Sequence, residues 1–213
     1  MRESVVFLHG IWMTGLELGL LRRRVRRCGF DCHQFRYHSV LRSPQETAAR
    51  LDEYLRDIDA DVVHFVGHSL GGLVLMHLFD RYPLQRPGRV VLLATPLKGS
   101  AVAASFGRYF FTRPLLGRSI LRGLLGDAPR WKGLRELGMI AGTRGVGLGM
   151  MIFGGLEHPN DGTVAVAETR SPEINAHLMV PYSHFGMLMA EPVAALTCGF
   201  LKEGVFGRLD ETQ

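Results

Sequence analysis

The sequence predicts an α/β fold, with about six strands in a mostly parallel sheet covered by helices on both faces. Apolar runs of strand length alternate along the chain with longer segments in which apolar residues recur at helical spacing. Two strands joined through a helix run parallel, because the crossover brings the chain back to the same edge of the sheet. The chain has 213 residues, of which 46% are hydrophobic, and we expect one domain over residues 1–213 with a sizeable core.

Six strands and four longer helices follow from this alternation. The predicted strands are Ser4–Leu8, Cys32–Tyr37, Val62–Val66, Arg89–Ala94, Leu148–Phe153 and His177–Val180. The predicted helices are Thr14–Arg27, Pro44–Ile58, Leu70–Phe79 and Met187–Phe200. The third helix is almost wholly apolar, so we expect it to be buried against the sheet.

The alternation breaks at about residues 98–145. This segment is rich in Gly, Arg, Leu and Phe and shows no clear strand, so we predict an insertion of short helices. It follows the carboxyl end of a parallel strand, which is the edge of the sheet where ligands bind in open α/β folds. The insertion is therefore predicted to form a helical cap over the functional site.

Composition argues against several classes of protein. No apolar run approaches the roughly 18 residues of a membrane-spanning helix, and the apolar stretch Val5–Leu8 is too short for a secretory signal. A cytoplasmic protein is therefore expected. The three cysteines, Cys28, Cys32 and Cys198, suggest neither a disulfide framework nor a four-ligand zinc site, so we expect free buried thiols.

The net charge of +5 is unevenly distributed along the chain. Between Arg81 and Arg144 there are twelve Arg or Lys residues but only two acidic residues, so this region is a candidate for contact with an anionic surface. The basic run 22–27 is interpreted as a solvated helix end, because no nucleic-acid-binding motif accompanies it. No P-loop, dinucleotide fingerprint or metal-ligand spacing is present, and we expect neither nucleic acid as a partner nor a cofactor or metal.

The strongest functional signal is the hexapeptide Gly67-His68-Ser69-Leu70-Gly71-Gly72. It lies between an apolar strand and an apolar helix, which is the setting of a nucleophile elbow. Glycines at Gly67 and Gly71 allow strand and helix to approach closely, so that the hydroxyl of Ser69 projects from a sharp turn. An ordinary glycine turn capped by serine is the alternative interpretation.

Further motifs lie at the ends of other predicted strands: His9-Gly10-Ile11, Ala94-Thr95-Pro96-Leu97-Lys98-Gly99-Ser100, Asn160-Asp161-Gly162-Thr163-Val164 and Ser183-His184-Phe185. With these motifs the sequence resembles the α/β-hydrolases, and specifically the small lipase-like esterases, over nearly the whole chain. The resemblance implies a minimal α/β-hydrolase fold. It also implies the chain order nucleophile, acid, histidine, which Ser69, Asp161 and His184 would satisfy.

Each of the three residues has a chemical reason to be present. A serine hydroxyl needs a histidine to take its proton and an acid to hold that histidine in the correct tautomer. His184 is the candidate base, because Pro and Gly place its loop at the edge where the elbow emerges, and His177 is its rival. Asp161 is the candidate acid, although Asn-Asp-Gly also forms turns, and Glu157 is the alternative.

The oxyanion formed by such an attack needs two positioned donors, and backbone amides can supply both. The elbow itself offers the amide of Leu70. The loop after the first strand should offer the second, for which Ile11 is the candidate and Trp12 the alternative.

Taken together, these features predict a serine hydrolase that cleaves small-molecule carboxylic esters through an acyl-serine intermediate. The apolar cap favours an acyl or aromatic substrate. A thioesterase or acyltransferase would use the same residues, and a non-catalytic binding protein on this scaffold is a further alternative. Aromatic residues and arginines interleave in the cap, which also predicts weak contact with an anionic membrane surface.

Overall fold

A computed structural model describes residues 1–108, 110–146 and 156–207. Six strands form one sheet in the spatial order β2-β1-β3-β4-β5-β6, and every neighbouring pair is parallel. The strands are β1 (Glu3–Leu8), β2 (Asp31–Phe35), β3 (Val62–His68), β4 (Val90–Leu93), β5 (Leu137–Gly142) and β6 (Ala176–Val180). The predicted six-stranded parallel sheet is thus confirmed.

The position of β5 corrects the sequence prediction. Leu137–Gly142 lies within the segment that we expected to contain no strand, and it pairs with both β4 and β6. The strand predicted at Leu148–Phe153 lies entirely within residues 147–155, which are outside the described residues. The weak strand signal of β5 has a packing reason: a Cβ at Gly138 would lie 2.7 Å from the ring of Phe206 and 2.9 Å from that of Phe200, so any other residue there would displace these rings.

The longer helices lie close to their predicted positions. They are α1 (Gly19–Arg27), α2 (Pro44–Arg56), α3 (Leu70–Arg81) and α7 (Glu191–Glu203). Three shorter helices in the described part of the chain are α4 (Ala101–Arg108), α5 (Arg113–Leu116) and α6 (Gly186–Met189). Helix α1 starts later than expected, because Gly15 has a φ of +91° that no helix contains. The predicted closing helix is two helices, since Ala190 is extended just before Glu191-Pro192 and proline is tolerated only in a first turn.

Alternation along the strands builds two core layers. Val5 and Phe7 of β1 pack with α1, α6 and α7 on one face, whereas Val6 and Leu8 pack with α2 and α3 on the other. All four side chains are fully buried. This arrangement is the layered architecture expected when helices cover both faces of a parallel sheet.

The cap is smaller than predicted, because its end contributes β5 to the sheet. Its short helices α4 and α5 and a 3₁₀ turn at Gly117–Ile120 pack against the start of α3. Phe106 and Leu116 are buried there against Leu70 and Leu73. The cap therefore lies next to the turn that carries Ser69.

The expectation of three free thiols was wrong. Cys28, at the end of α1, and Cys198, in α7, form a disulfide across a Cα–Cα distance of 6.4 Å, while Cys32 is free and buried. The two partners are 170 residues apart in sequence, so only the packing of α1 on α7 brings them together. Within the described part of the chain, no helix is both long and apolar enough to cross a membrane.

Candidate active site

The turn between β3 and α3 holds Ser69 in a backbone conformation that few residues adopt. Its φ is +53° and its ψ −120°, and its N–H donates to the carbonyl of Leu93 on β4 at 2.9 Å. A Cβ at Gly67 would lie 2.8 Å from Gly72 Cα, and one at Gly71 would lie 2.5 Å from the carbonyl oxygen of Leu8. Glycine is thus required on both sides of the serine, as a strained strand-to-helix elbow demands.

His184 and Asp161 form a buried hydrogen-bonded pair. His184 Nδ1 lies 2.7 Å from Asp161 Oδ2, and both side chains are at most 6% exposed. The backbone N–H of His184 also donates to the carbonyl of Asp161 at 2.9 Å. The aspartate therefore fixes both the ring and the backbone of the histidine.

The second carboxylate oxygen of Asp161 is held by its own turn. Oδ1 accepts the N–H groups of Thr163 and Val164 at 2.9 and 2.7 Å. Asp161 thus belongs to the Asn-Asp-Gly turn and contacts His184 at the same time, because the turn orients its Oδ2 towards the histidine. A Cβ at Gly142, the last residue of β5, would lie 2.7 Å from Asp161 Cβ, so glycine there makes room for the acid.

The rival residues lie in other surroundings. Glu157 is exposed, and no described residue donates a hydrogen bond to its carboxylate. His177 lies on β6, where its Nε2 is 2.9 Å from the hydroxyl of Thr169, and burial lowers its pKa. Neither residue is brought together with Ser69 or His184 by a described contact.

Two backbone amides near Ser69 are available to a ligand. The N–H of Leu70 starts α3 and has no acceptor within the helix, and the N–H of Ile11 has no acceptor among the described residues. The N–H of Trp12 is already donated to Ser39 Oγ at 3.0 Å. A Cβ at Gly10 would lie 3.2 Å from Ser69 Cβ, so this loop runs directly past the serine.

His68 was missed as a candidate in the sequence. Its Nε2 lies 3.1 Å from the backbone carbonyl of His184, to which it donates, and the two rings are 4.6 Å apart. Complete burial, followed by the proximity of His184, lowers the pKa of His68 well below its ordinary value, so the ring is neutral. The signal that could have found it is a histidine at the end of a buried strand, directly before the serine.

Ser69 and His184 are not hydrogen-bonded to each other in this structure. Ser69 Oγ makes no hydrogen bond with any described residue, His184 included. In enzymes without substrate such contacts are often long and tighten only when the ligand binds. The arrangement provides a hydroxyl on a strained turn, a histidine hydrogen-bonded to an aspartate and two backbone amides without a described acceptor, which together are groups that can support attack on a carbonyl group.

No metal site accompanies these residues. In the part of the chain that the structure describes, no three His, Cys, Asp or Glu side chains are grouped so that they would hold a metal ion. A cavity of about 690 Å³ opens beside the loop after β1 and is lined in part by Trp12 and Met13, although Ser69 and His184 do not line it.

The chain belongs to the alpha/beta hydrolase family, whose model matches residues 5–154. A comparison with curated proteins gave no significant match. Among solved structures, the mature lipase BlEst2 of Bacillus licheniformis is similar with a TM-score of 0.71 and 19% identity, over 88% of this chain and 86% of the lipase.

Two further solved structures share the fold at low identity. The metagenomic carboxyl esterase MGS0156 has a TM-score of 0.69 and 18% identity, over 86% of this chain and 64% of the esterase. The phospholipase PlaB of Legionella pneumophila has a TM-score of 0.70 and 16% identity, over 95% of this chain and 60% of the phospholipase. At these identities the likeness concerns the fold, and the chain is a hydrolase of the family that this fold and the matching model define.

Proposed function

We propose that this hydrolase cleaves carboxylic esters through an acyl-serine intermediate. The observation that carries the proposal is the buried His184–Asp161 hydrogen bond of 2.7 Å beside the strained turn of Ser69. A serine in an ordinary turn needs no neighbouring histidine and acid, whereas a serine nucleophile needs both. The pair therefore supports a catalytic role for Ser69. The lipase and carboxyl esterase among the similar structures agree with this assignment.

In the proposed reaction Ser69 Oγ attacks the ester carbonyl while His184 Nε2 takes the hydroxyl proton. The oxyanion accepts hydrogen bonds from the N–H groups of Leu70 and Ile11. The tetrahedral species then expels the alcohol, to which His184 returns the proton, and the acyl group stays on Ser69. Water, deprotonated by the same histidine, releases the acid. Asp161 accepts the Nδ1–H of His184 throughout and so holds this tautomer.

A panel of p-nitrophenyl esters with acyl chains of increasing length tests the proposal. We expect hydrolysis well above the buffer rate, with apolar acyl groups favoured because the cap presents apolar side chains. Matched thioesters, and assays with added alcohol acceptors, separate ester hydrolysis from the thioesterase and acyltransferase alternatives. A rate equal to the buffer rate for every ester would contradict the proposal and leave the non-catalytic alternative.

His68 is proposed to position His184 through its backbone. Replacing His68 with Phe should lower kcat/KM by about fivefold, because it removes a hydrogen bond worth roughly 1 kcal/mol to the carbonyl of the proposed base. His68→Gln should recover most of the loss, since its amide can donate from nearly the same place. The acid limb of the pH–rate profile should be the same in all three proteins, because His68 is neutral. Equal rates in the Phe and Gln variants would show that the hydrogen bond from His68 does not position His184.

Weak contact with an anionic lipid surface is proposed for the cap. Phe110 is 87% exposed, and Arg108, Arg113 and Arg122 are exposed without an ion pair to any described residue. Arg118, a further arginine of the cap, instead pairs with Glu46 at 2.7 Å. Three cations near such a surface supply roughly 3 kcal/mol before screening by salt.

Sedimentation with lipid vesicles tests this contact. We expect binding to phosphatidylglycerol vesicles at low salt, little binding to phosphatidylcholine, and release as salt is raised. Equal binding to both lipids, or binding to neither, would contradict it. The cytoplasmic location stays a prediction, and the Cys28–Cys198 disulfide weighs against it, because disulfides persist mainly in oxidising compartments.

A further inference from the structure

The cavity of about 690 Å³ beside the loop after β1 has a distinctive lining. It lies between this loop and the segment 36–42 that follows β2. Apolar walls come from Trp12, Leu16 and Leu41, which are 51%, 68% and 64% exposed. Such a combination of concavity and accessible apolar surface is typical of a ligand site.

Three arginines line the same cavity: Arg36, Arg42 and Arg50. No Asp or Glu is among its lining residues, and none of the three guanidinium groups forms an ion pair or hydrogen bond with a described residue. Arginines on neighbouring surfaces differ, since Arg56 pairs with Asp52 at 2.9 Å and Arg118 with Glu46 at 2.7 Å. The cavity thus brings together cations for which no described residue supplies a counterion.

The acidic residues nearest in sequence to the residues that line the cavity do not pair with its three arginines. Glu17 accepts the N–H groups of Thr14 and Gly15, and Glu46 accepts the N–H of its own helix cap at Ser43. Glu53 shares α2 with Arg50 but does not form an ion pair with it. A concave surface with cations and apolar walls concentrates positive potential, so it attracts an anion more strongly than a flat surface would.

The cavity also lies next to the proposed reaction centre. Trp12 and Met13, which line it, directly follow Ile11, the proposed oxyanion donor. Trp12 Nε1 donates to the carbonyl of Leu115 in α5 at 2.8 Å, so the cap fixes this wall in place. A ligand in the cavity would therefore lie beside the loop that carries the proposed oxyanion donor.

We infer that this cavity is an anion-binding subsite, which receives the phosphate, sulfate or carboxylate group of an amphiphilic ester. The inference depends on the proposed ester hydrolysis in one respect: it identifies the ligand of the cavity as a substrate. Guanidinium groups match oxyanions in geometry and stay charged at every relevant pH. The apolar walls would hold the hydrocarbon part of the same molecule.

Binding without turnover tests the subsite directly. Trp12 fluorescence is recorded in a Trp131→Phe background, which leaves Trp12 as the sole tryptophan, during titration with monomeric octyl phosphate, octyl glucoside and inorganic phosphate. We expect octyl phosphate to bind at least about tenfold more tightly than octyl glucoside. Equal affinity for the charged and neutral amphiphiles would overturn the inference. If inorganic phosphate binds as tightly as octyl phosphate, the cavity binds a free anion, and the inference of an amphiphilic ligand is overturned.

Variants that remove one positive charge each test whether the arginines of the cavity bind the phosphate group. Arg36→Gln, Arg42→Gln and Arg50→Gln should each weaken octyl phosphate binding by about threefold to tenfold. Arg130→Gln is the matched control, because Arg130 is also exposed and unpaired with described residues but does not line the cavity. An equal loss of affinity in the Arg130→Gln control would show that only the net charge of the protein matters, which would contradict the subsite.

Two esters separate this inference from the proposed function. The p-nitrophenyl ester of butyric acid is neutral, whereas the mono-p-nitrophenyl ester of glutaric acid carries a carboxylate. A higher kcat/KM for the anionic ester, lost in Arg42→Gln, supports both proposals. Hydrolysis of both esters at equal rates contradicts the subsite alone. Octyl phosphate binding without any ester hydrolysis contradicts the proposed function and leaves the subsite standing.

Discussion

Ser69→Ala is expected to lower kcat for ester hydrolysis by on the order of a thousandfold or more, while the protein stays folded. The change removes only the hydroxyl oxygen that is proposed as the nucleophile, which makes no hydrogen bond with a described residue. Residual activity would come from the oxyanion donors and from substrate binding. The rate is measured on the best ester of the p-nitrophenyl panel, and the thermal unfolding midpoint reports the fold.

Ser105→Ala in the cap serves as the matched control, since it deletes the same oxygen from a serine away from the elbow. Its rate should stay within about twofold of the unmodified protein, as is usual for a surface change. Comparable losses in both variants, or full activity in Ser69→Ala, would show that another group is the nucleophile.

The second large effect concerns the acid. Asp161→Asn should lower kcat by about a thousandfold to ten-thousandfold, because an amide at this position donates to His184 Nδ1 and favours the wrong tautomer. Oδ1 still accepts the N–H groups of Thr163 and Val164, so the turn and the unfolding midpoint should change little. Steady-state kinetics on the same ester measures the loss.

Glu157→Gln provides the comparison for this prediction. Glu157 is exposed and has no described partner on its carboxylate, so its variant should retain nearly full activity. Similar rates in the two variants, or a greater loss in Glu157→Gln, would mean that Asp161 only shapes a turn.

Most of the sheet could be predicted because local sequence determines it. The strand β1 and the segment from β3 to α3 carry strong apolar runs, bounded by glycines that the close approach of helix and strand requires. The strand β5 could not be predicted in the same way. Its glycines Gly138 and Gly142 weaken the strand signal, and they are needed because Phe200 and Asp161 approach the backbone there.

The candidate site shows a similar division. Motif and chain order were sufficient to propose Ser69, Asp161 and His184, but the choice between Ile11 and Trp12 depended on a distant contact. The Trp12 amide is occupied by Ser39, 27 residues further along the chain. His68 and the disulfide likewise depend on partners 116 and 170 residues away, which no local pattern reveals.

Covalent labelling with a fluorophosphonate, mapped by mass spectrometry of the digested protein, tests the central claim most directly. The reagent forms a phosphonate ester, with loss of fluoride, on a serine that is activated by a neighbouring base and placed beside oxyanion donors. We predict a single adduct on Ser69, absent in Ser69→Ala and formed much more slowly in Asp161→Asn. An adduct on a different serine, or none under conditions that label a known serine hydrolase completely, would contradict the assignment of Ser69, His184 and Asp161.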